Sequence, residues 1–194
     1  MEETKDKAAL RREVLQRRDA LPVERRIEAS LRIAEHGGRA LSFQPGTIVS
    51  GFMPIRSEPD TRPLMATLAD RGARLSLPVV VDRQTIVFRE LERGAPLVDS
   101  GFGTVGPGPE AKVTHPELML VPLAAFDGRG NRIGYGAGHY DRAVARLIAD
   151  GFTPRLVGVA FDLQEIETVP FEDHDRPLDA ILTESGLRSF AARL

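Results

Sequence analysis

The run "LMLVP" (Leu118 to Pro122) is apolar at every position, and that limits what the chain can fold into. A strand reads without polar alternation when both its faces are buried, which is the condition of a parallel sheet covered by helices. "RLVGVAF" (Arg155 to Phe161) and "AILT" (Ala180 to Thr183) have the same character. "TIVSGFM" (Thr47 to Met53) and "RLSLPVVV" (Arg74 to Val81) supply two earlier strands. "TIVFREL" (Thr85 to Leu91) alternates, as a strand at or near a sheet edge does.

Helical patterns separate these runs. Leu10, Val14 and Leu21 recur at one-turn spacing, which predicts a helix from about Lys5 to Arg18. Pro22 ends it and opens a second, Val23 to about His36, with Ile27, Leu31 and Ala34 expected to face inward and Gly37-Gly38 weakening its end. Thr61 is placed to cap a third helix reaching Arg71, with Pro63 in its first turn and Gly72 as its stop. A fourth runs from about Tyr140 to Asp150 and ends at Gly151. The stretch from Gly94 to Pro109 is rich in Gly and Pro and reads as loop. Strands alternating with helices in this way predict one α/β domain of three layers, α/β/α, around a mainly parallel sheet. Residues 1–42 form an N-terminal helical segment on its flank, and 47–194 the α/β core.

Composition excludes several alternatives. The chain has 194 residues, a net charge of −2 and no cysteine. That charge argues against a broad nucleic-acid footprint or a polybasic membrane surface. Without cysteine there is no disulfide framework, zinc-thiolate site or thiol nucleophile. The opening "MEETKDKAALRREVLQ" lacks the apolar centre of a signal peptide, and no apolar run is long enough to span a bilayer. A cytoplasmic protein is expected.

The chemistry is concentrated in "AAFDGRGNRIGYGAGHYDRAVARL", Ala124 to Leu147. Gly134, Gly136 and Gly138 alternate just ahead of a helix, so backbone N–H groups can line one concavity with no Cβ in the way of an anion. The helix start adds the positive end of its dipole. Asp141 would be repelled by phosphate unless a cation stood between them, and Mg²⁺ is the usual bridging ion. Arg132, upstream, adds charge. The loop reads equally as a tight turn whose glycines solve a steric problem, with Asp141 a helix-start residue. A dinucleotide fingerprint fits less well, because His139 stands at its third glycine and the glycines lie well past the strand. No Walker loop is present, since G-K-[ST] does not occur.

"VPLAAFDGRGNRIGYGAGHYDR" resembles the signature of the 5-formyltetrahydrofolate cyclo-ligase family. "KAALRREVLQRRDAL" resembles the family's opening basic helix, "GFMPIRSEPDT" its strand and E-x-x-T loop, and "RLSLPVV" the Leu-Pro strand after it. "FGTVGPGPE" and the closing "VPFEDHDRPLDAILTE" match in order, so the likeness spans nearly the whole chain. It implies a core of the NagB/RpiA/CoA-transferase type. It also implies ATP- and Mg²⁺-dependent closure of 5-formyltetrahydrofolate to 5,10-methenyltetrahydrofolate, by phosphorylation of the formyl oxygen and attack of N10. A relative that binds folate or nucleotide without turnover is the alternative.

The resemblance implies residue roles as well. Lys7 and Arg11, one turn apart, match a basic pair for ATP phosphates. Arg132, Gly134, Tyr135, Gly136, Ala137, Gly138, His139 and Tyr140 match ATP contacts, and the run Tyr135 to His139 also touches the folate. Glu58 matches the pterin-binding carboxylate, able to accept two parallel N–H bonds from an aminopyrimidinone edge. Met53 matches the apolar contact beside it, a core methionine being the other reading. Asp141 and Asp175 match the two magnesium ligands, Arg132 and Asp141 carrying the chemistry; Phe126 and Asp127 are expected to shape the strand exit, and Asp127 to aid the magnesium shell through water. Arg12, Arg17 and Arg18 read as solvated helix surface, and so does His174. Ala137 stands where some members carry Lys, and His139 where Tyr is frequent. The expected partners are the two small-molecule substrates, on a monomer without nucleic acid or membrane.

Overall fold

The structure is a computed structural model that describes residues 6–101, 103–172 and 175–190. Phe102 and His174 therefore lie outside the described residues, as does Lys5, the expected start of the first helix. Five strands form a parallel centre: β1 (Ile48–Ser50), β2 (Arg74–Val80), β7 (Leu118–Pro122), β10 (Arg155–Val159) and β11 (Ala180–Thr183). Antiparallel strands extend it at each side: β3 (Ile86–Glu90) and β6 (Val113–Thr114) beyond β2, and β12 (Gly186–Ser189) beyond β11. The order across the sheet is β12-β11-β10-β7-β1-β2-β3-β6.

The apolar runs behave as their composition requires. Leu118 and Leu120 of β7 join a cluster with Ile33, Leu64, Leu68 and Leu182 on one face. Met119 and Val121 join Phe88, Ala143, Val144 and Leu147 on the other. The first face is covered by α2 (Val23–Ala40) and α3 (Arg62–Asp70), the second by α4 (His139–Ala149). This is the expected three-layer α/β arrangement.

Four local expectations change. The second helix runs through Gly37-Gly38 to Ala40, because Gly37 is where it presses onto the sheet: a Cβ there would lie 2.7 Å from both Leu182 Cδ2 and Leu64 Cδ1. Its buried residues are Ala29, Ser30, Ile33, Ala34 and Gly37, so Ile27 and Leu31 point outward, 57% and 55% exposed. Thr61 precedes α3 but makes no cap; its buried hydroxyl donates to the Phe52 carbonyl. The Gly/Pro-rich stretch holds a hairpin, β4 (Leu97–Gly101) with β5 (Thr104–Pro107), whose Gly106 presses onto β2, where a Cβ would meet Val79 Cγ2 at 2.8 Å.

The remaining pieces gather at the carboxyl ends of the parallel strands. A small hairpin, β8 (Ala125–Phe126) with β9 (Arg132–Ile133), follows β7 directly. α1 (Lys7–Asp19) packs Val14 against Ala125, Ile133 and Val169. The Asp6 carboxylate caps α1 by accepting from the Ala8 N–H. Among the described residues, no helix is long and apolar enough to cross a membrane.

Candidate active site

A cavity of about 470 Å³ opens beyond the ends of β1, β2 and β7. Its floor is apolar, built from Phe52, Met53, Pro78, Val80, Ile86 and Pro122. Arg11 and Leu15 of α1 form one wall, and Thr104 and Val105 of the β4–β5 hairpin another. Glu58 reaches in from the loop after β1. Arg132, Gly134, Tyr135, Ala137, Gly138, His139, Tyr140 and Asp141 complete the lining. Ligands in open α/β sheets bind at this end of the strands.

Two glycines in this loop are required by backbone conformation. Gly136 (φ 99°) and Gly138 (φ 65°) sit in the left-handed region, and Gly138 is the residue from which α4 starts. Gly134 is in ordinary conformation with open space where a Cβ would go. Arg11 Nε donates to the Gly134 carbonyl at 2.6 Å, pinning the loop to α1. On the other side His139 Nε2 pairs with the Arg83 carbonyl at 3.0 Å, and Arg142 Nε donates to the Gln84 carbonyl at 2.8 Å.

Charge is arranged as a linked series. Arg132 Nη2 donates to Asp141 Oδ1 at 2.5 Å, while its Nη1 donates to the Arg176 carbonyl. Next to Arg176, Asp175 accepts from Lys7 Nζ at 2.6 Å and from the Glu172 N–H at 2.9 Å. Arg132 thus joins the two aspartates' segments. Lys7 and Asp175 stand outside the cavity lining, paired with each other, with Glu172 also 3.2 Å from Lys7.

Mg²⁺ commonly takes one or two carboxylates and completes its shell with substrate phosphates and water. Asp141 suits that demand, a partly exposed carboxylate on the cavity wall in the first turn of α4. Among the described residues, no three His, Cys, Asp or Glu side chains converge as a metal group.

Glu58 is nearly enclosed, at 8% exposure. Burial pushes its carboxyl above the usual range, while the Tyr135 hydroxyl, the Ile55 N–H and the guanidinia of Arg18 and Arg56 oppose that rise. The Ile55 N–H donates to Glu58 Oε2 at 2.8 Å. Burial likewise raises the phenols of Tyr135 and Tyr140, so both are protonated donors. Among the described residues, the Tyr140 hydroxyl is buried without a partner.

The sequence model of the 5-formyltetrahydrofolate cyclo-ligase family matches residues 3–184. The chain belongs to that family. The cyclo-ligase of Mycolicibacterium smegmatis is 31% identical over 188 residues, covering 92% of this chain and 94% of that one. The Escherichia coli K12 cyclo-ligase is 30% identical over 181 residues, covering 89% and 97%. The solution structure of Aquifex aeolicus 5,10-methenyltetrahydrofolate synthetase superimposes with a TM-score of 0.80 at 28% identity, over 97% of this chain and 94% of that one.

Two expectations from the sequence need correction, the metal-shell role of Asp127 and the solvated Arg18. Asp127 is 1% exposed, and its carboxylate already accepts from the N–H groups of Arg129, Asn131 and Val169 and from Asn131 Nδ2. It shapes the β8–β9 turn and has no oxygen left to serve a metal shell. Arg18 is the larger surprise: expected in solvent, it is 1% exposed. Its Nε donates to Ser57 Oγ at 3.0 Å and its Nη1 to the Tyr135 hydroxyl at 2.6 Å. Helical spacing carried a signal, since Lys7, Arg11, Val14 and Arg18 fall on one face of α1, and Val14 had marked that face as buried.

Proposed function

We propose that the protein closes 5-formyltetrahydrofolate to 5,10-methenyltetrahydrofolate with consumption of ATP. Family membership supports the reaction. The observation that carries the residue roles is that one cavity is lined both by Glu58 and by the glycine loop with Arg132 and Asp141. The Glu58 carboxylate accepts the N–H edge of the folate ring, and Phe52 and Met53 lie along its apolar surface. Arg11, Arg132 and the loop amides from Gly134 to Tyr140 hold the phosphates, with Lys7 beside them. Asp141, with Asp175 as second ligand, would hold Mg²⁺, which would supply charge neutralisation for the transferring phosphoryl group.

The reaction needs no protein nucleophile. A formyl amide oxygen is a poor leaving group, so it first attacks the γ-phosphorus and ADP departs. N10 then bonds to the activated carbon, the carbon–oxygen bond breaks, and phosphate leaves with the former formyl oxygen. The N10 proton passes to the departing phosphate. The chain's contribution is to align three groups and shield them from water. The protein works as a single-domain cytoplasmic monomer on small molecules alone.

Near-UV absorbance tests this directly, because the methenyl product has an extended conjugated system that the substrate lacks. Absorbance is expected to rise with 5-formyltetrahydrofolate only when ATP and Mg²⁺ are both present. Folate binding without any ATP consumption would overturn the proposal in favour of a non-catalytic binder.

A further inference from the structure

Arg18 is a guanidinium removed from water, outside the cavity lining but bonded to Tyr135, which lines it, and neither phosphate binding nor phosphoryl transfer uses it. Among the described residues its Nη2 has no hydrogen-bond partner, its Cζ stands 5.7 Å from the Tyr135 ring centroid, and Ser57, which accepts from it, donates onward to Asp19. Burying such a group costs several kcal/mol unless it is matched by good partners, and this one is matched incompletely.

What it does to its neighbours follows from donor counting. A guanidinium only donates, so the Tyr135 oxygen must accept from Arg18 Nη1. The single phenolic proton is then left for another acceptor, and the group the Tyr135 hydroxyl acts on is the Glu58 carboxyl, which lines the same cavity and which the hydroxyl draws toward its ionised form. The Ile55 N–H donates to Glu58 Oε2 at 2.8 Å, and the Tyr135 hydroxyl is the second protein donor that bears on this carboxyl. An ionised carboxylate offers about four lone-pair positions. Two stay open for a pair of ligand N–H groups.

We propose that Arg18 is the positioning residue of the folate subsite: by donating to Tyr135 it turns the phenolic proton onto Glu58 and keeps that carboxylate an acceptor. This rests on the reading of Glu58 as the group that holds the folate ring. The charged and titratable groups facing Glu58 are Arg18 from α1, Arg56 from its own loop, Tyr135 from the glycine loop and Tyr140 from α4. Both cations favour the ionised form, and burial opposes it. The ligand's N–H edge needs that ionised form, so affinity falls as pH drops through the Glu58 titration. Removing Arg18 raises that titration and moves the loss of affinity to higher pH.

Calorimetric titration with 5-formyltetrahydrofolate from pH 6 to pH 8.5, without ATP, reads this out. Arg18→Met is expected to bind about tenfold more weakly than wild type at pH 6, with the gap closing as pH rises. Arg18→Lys, which keeps the charge, should stay within about threefold of wild type throughout. Tyr135→Phe breaks the same relay without a buried-charge change and should also move the acid limb upward, so it decides the matter if Arg18→Met does not fold. A variant pH profile parallel to wild type, whether affinity is unchanged or uniformly lowered, overturns the inference. Wild type that binds no folate at any pH would instead remove the folate reading, and this inference with it.

Discussion

Two aspartates of one motif show how environment divides identical side chains. Asp127 has four N–H partners and is sealed in, so it is a piece of the turn. Asp141, fourteen positions on, is 31% exposed, faces the cavity and is paired with Arg132. Asp141→Ala is expected to lower turnover by at least about a hundredfold, the scale of losing one electrostatic stabiliser of a transition state. Folate affinity should stay within about threefold, because Glu58 is untouched. Steady-state rates together with calorimetric binding check both halves, and undiminished turnover would remove Asp141 from the site. The sequence showed which residues carry charge but not which of them are already spent. Arg18 shows why: its partner Tyr135 comes from a distant segment, and Asp127, legible as part of the strand exit, has its last lone pair taken by Val169 from as far away.

At the scale of elements, patterning succeeded where burial is two-sided or strongly periodic. β7, β10 and β11 are apolar on both faces and were legible as they stand. It failed in part on α2, where Ile27, Leu31 and Ala34 make a convincing inward stripe, yet only Ala34 is buried and Ile27 and Leu31 face outward. The face that packs is built from Ala29, Ser30, Ile33, Ala34 and Gly37, smaller residues that let the helix approach the sheet closely. Gly37→Ala tests that account. A methyl would have to displace Leu182 and Leu64, so the variant should lose about 1–3 kcal/mol of stability, read as a lower midpoint in denaturant unfolding. A helix that simply gains from alanine's better propensity would instead become more stable by up to about 1 kcal/mol. The β4–β5 hairpin was hidden by its Gly and Pro content, although Gly101 and Gly103 supply the positive φ that a tight reversal needs.

For the whole molecule, the architecture explains why function sits where it does. Parallel strands bring the loops after β1, β2 and β7 to one end of the sheet, so Glu58, the apolar floor and the glycine loop meet although they are far apart in sequence. α1 precedes the alternating pattern, and its charged face reads as solvent-facing in isolation. In the fold that face closes the site, carrying Arg11 to the loop carbonyl and Arg18 to Tyr135. In the reaction we propose, catalysis needs only alignment: a formyl oxygen held against a γ-phosphate, and N10 held against the carbon it will join. The most direct measurement follows the oxygen. With 5-formyltetrahydrofolate carrying ¹⁸O in its formyl group, and ATP and Mg²⁺ present, mass spectrometry of the products should find the label in released phosphate. Label appearing in water, with unlabelled phosphate, would contradict phosphorylation of the formyl oxygen and the account built on it.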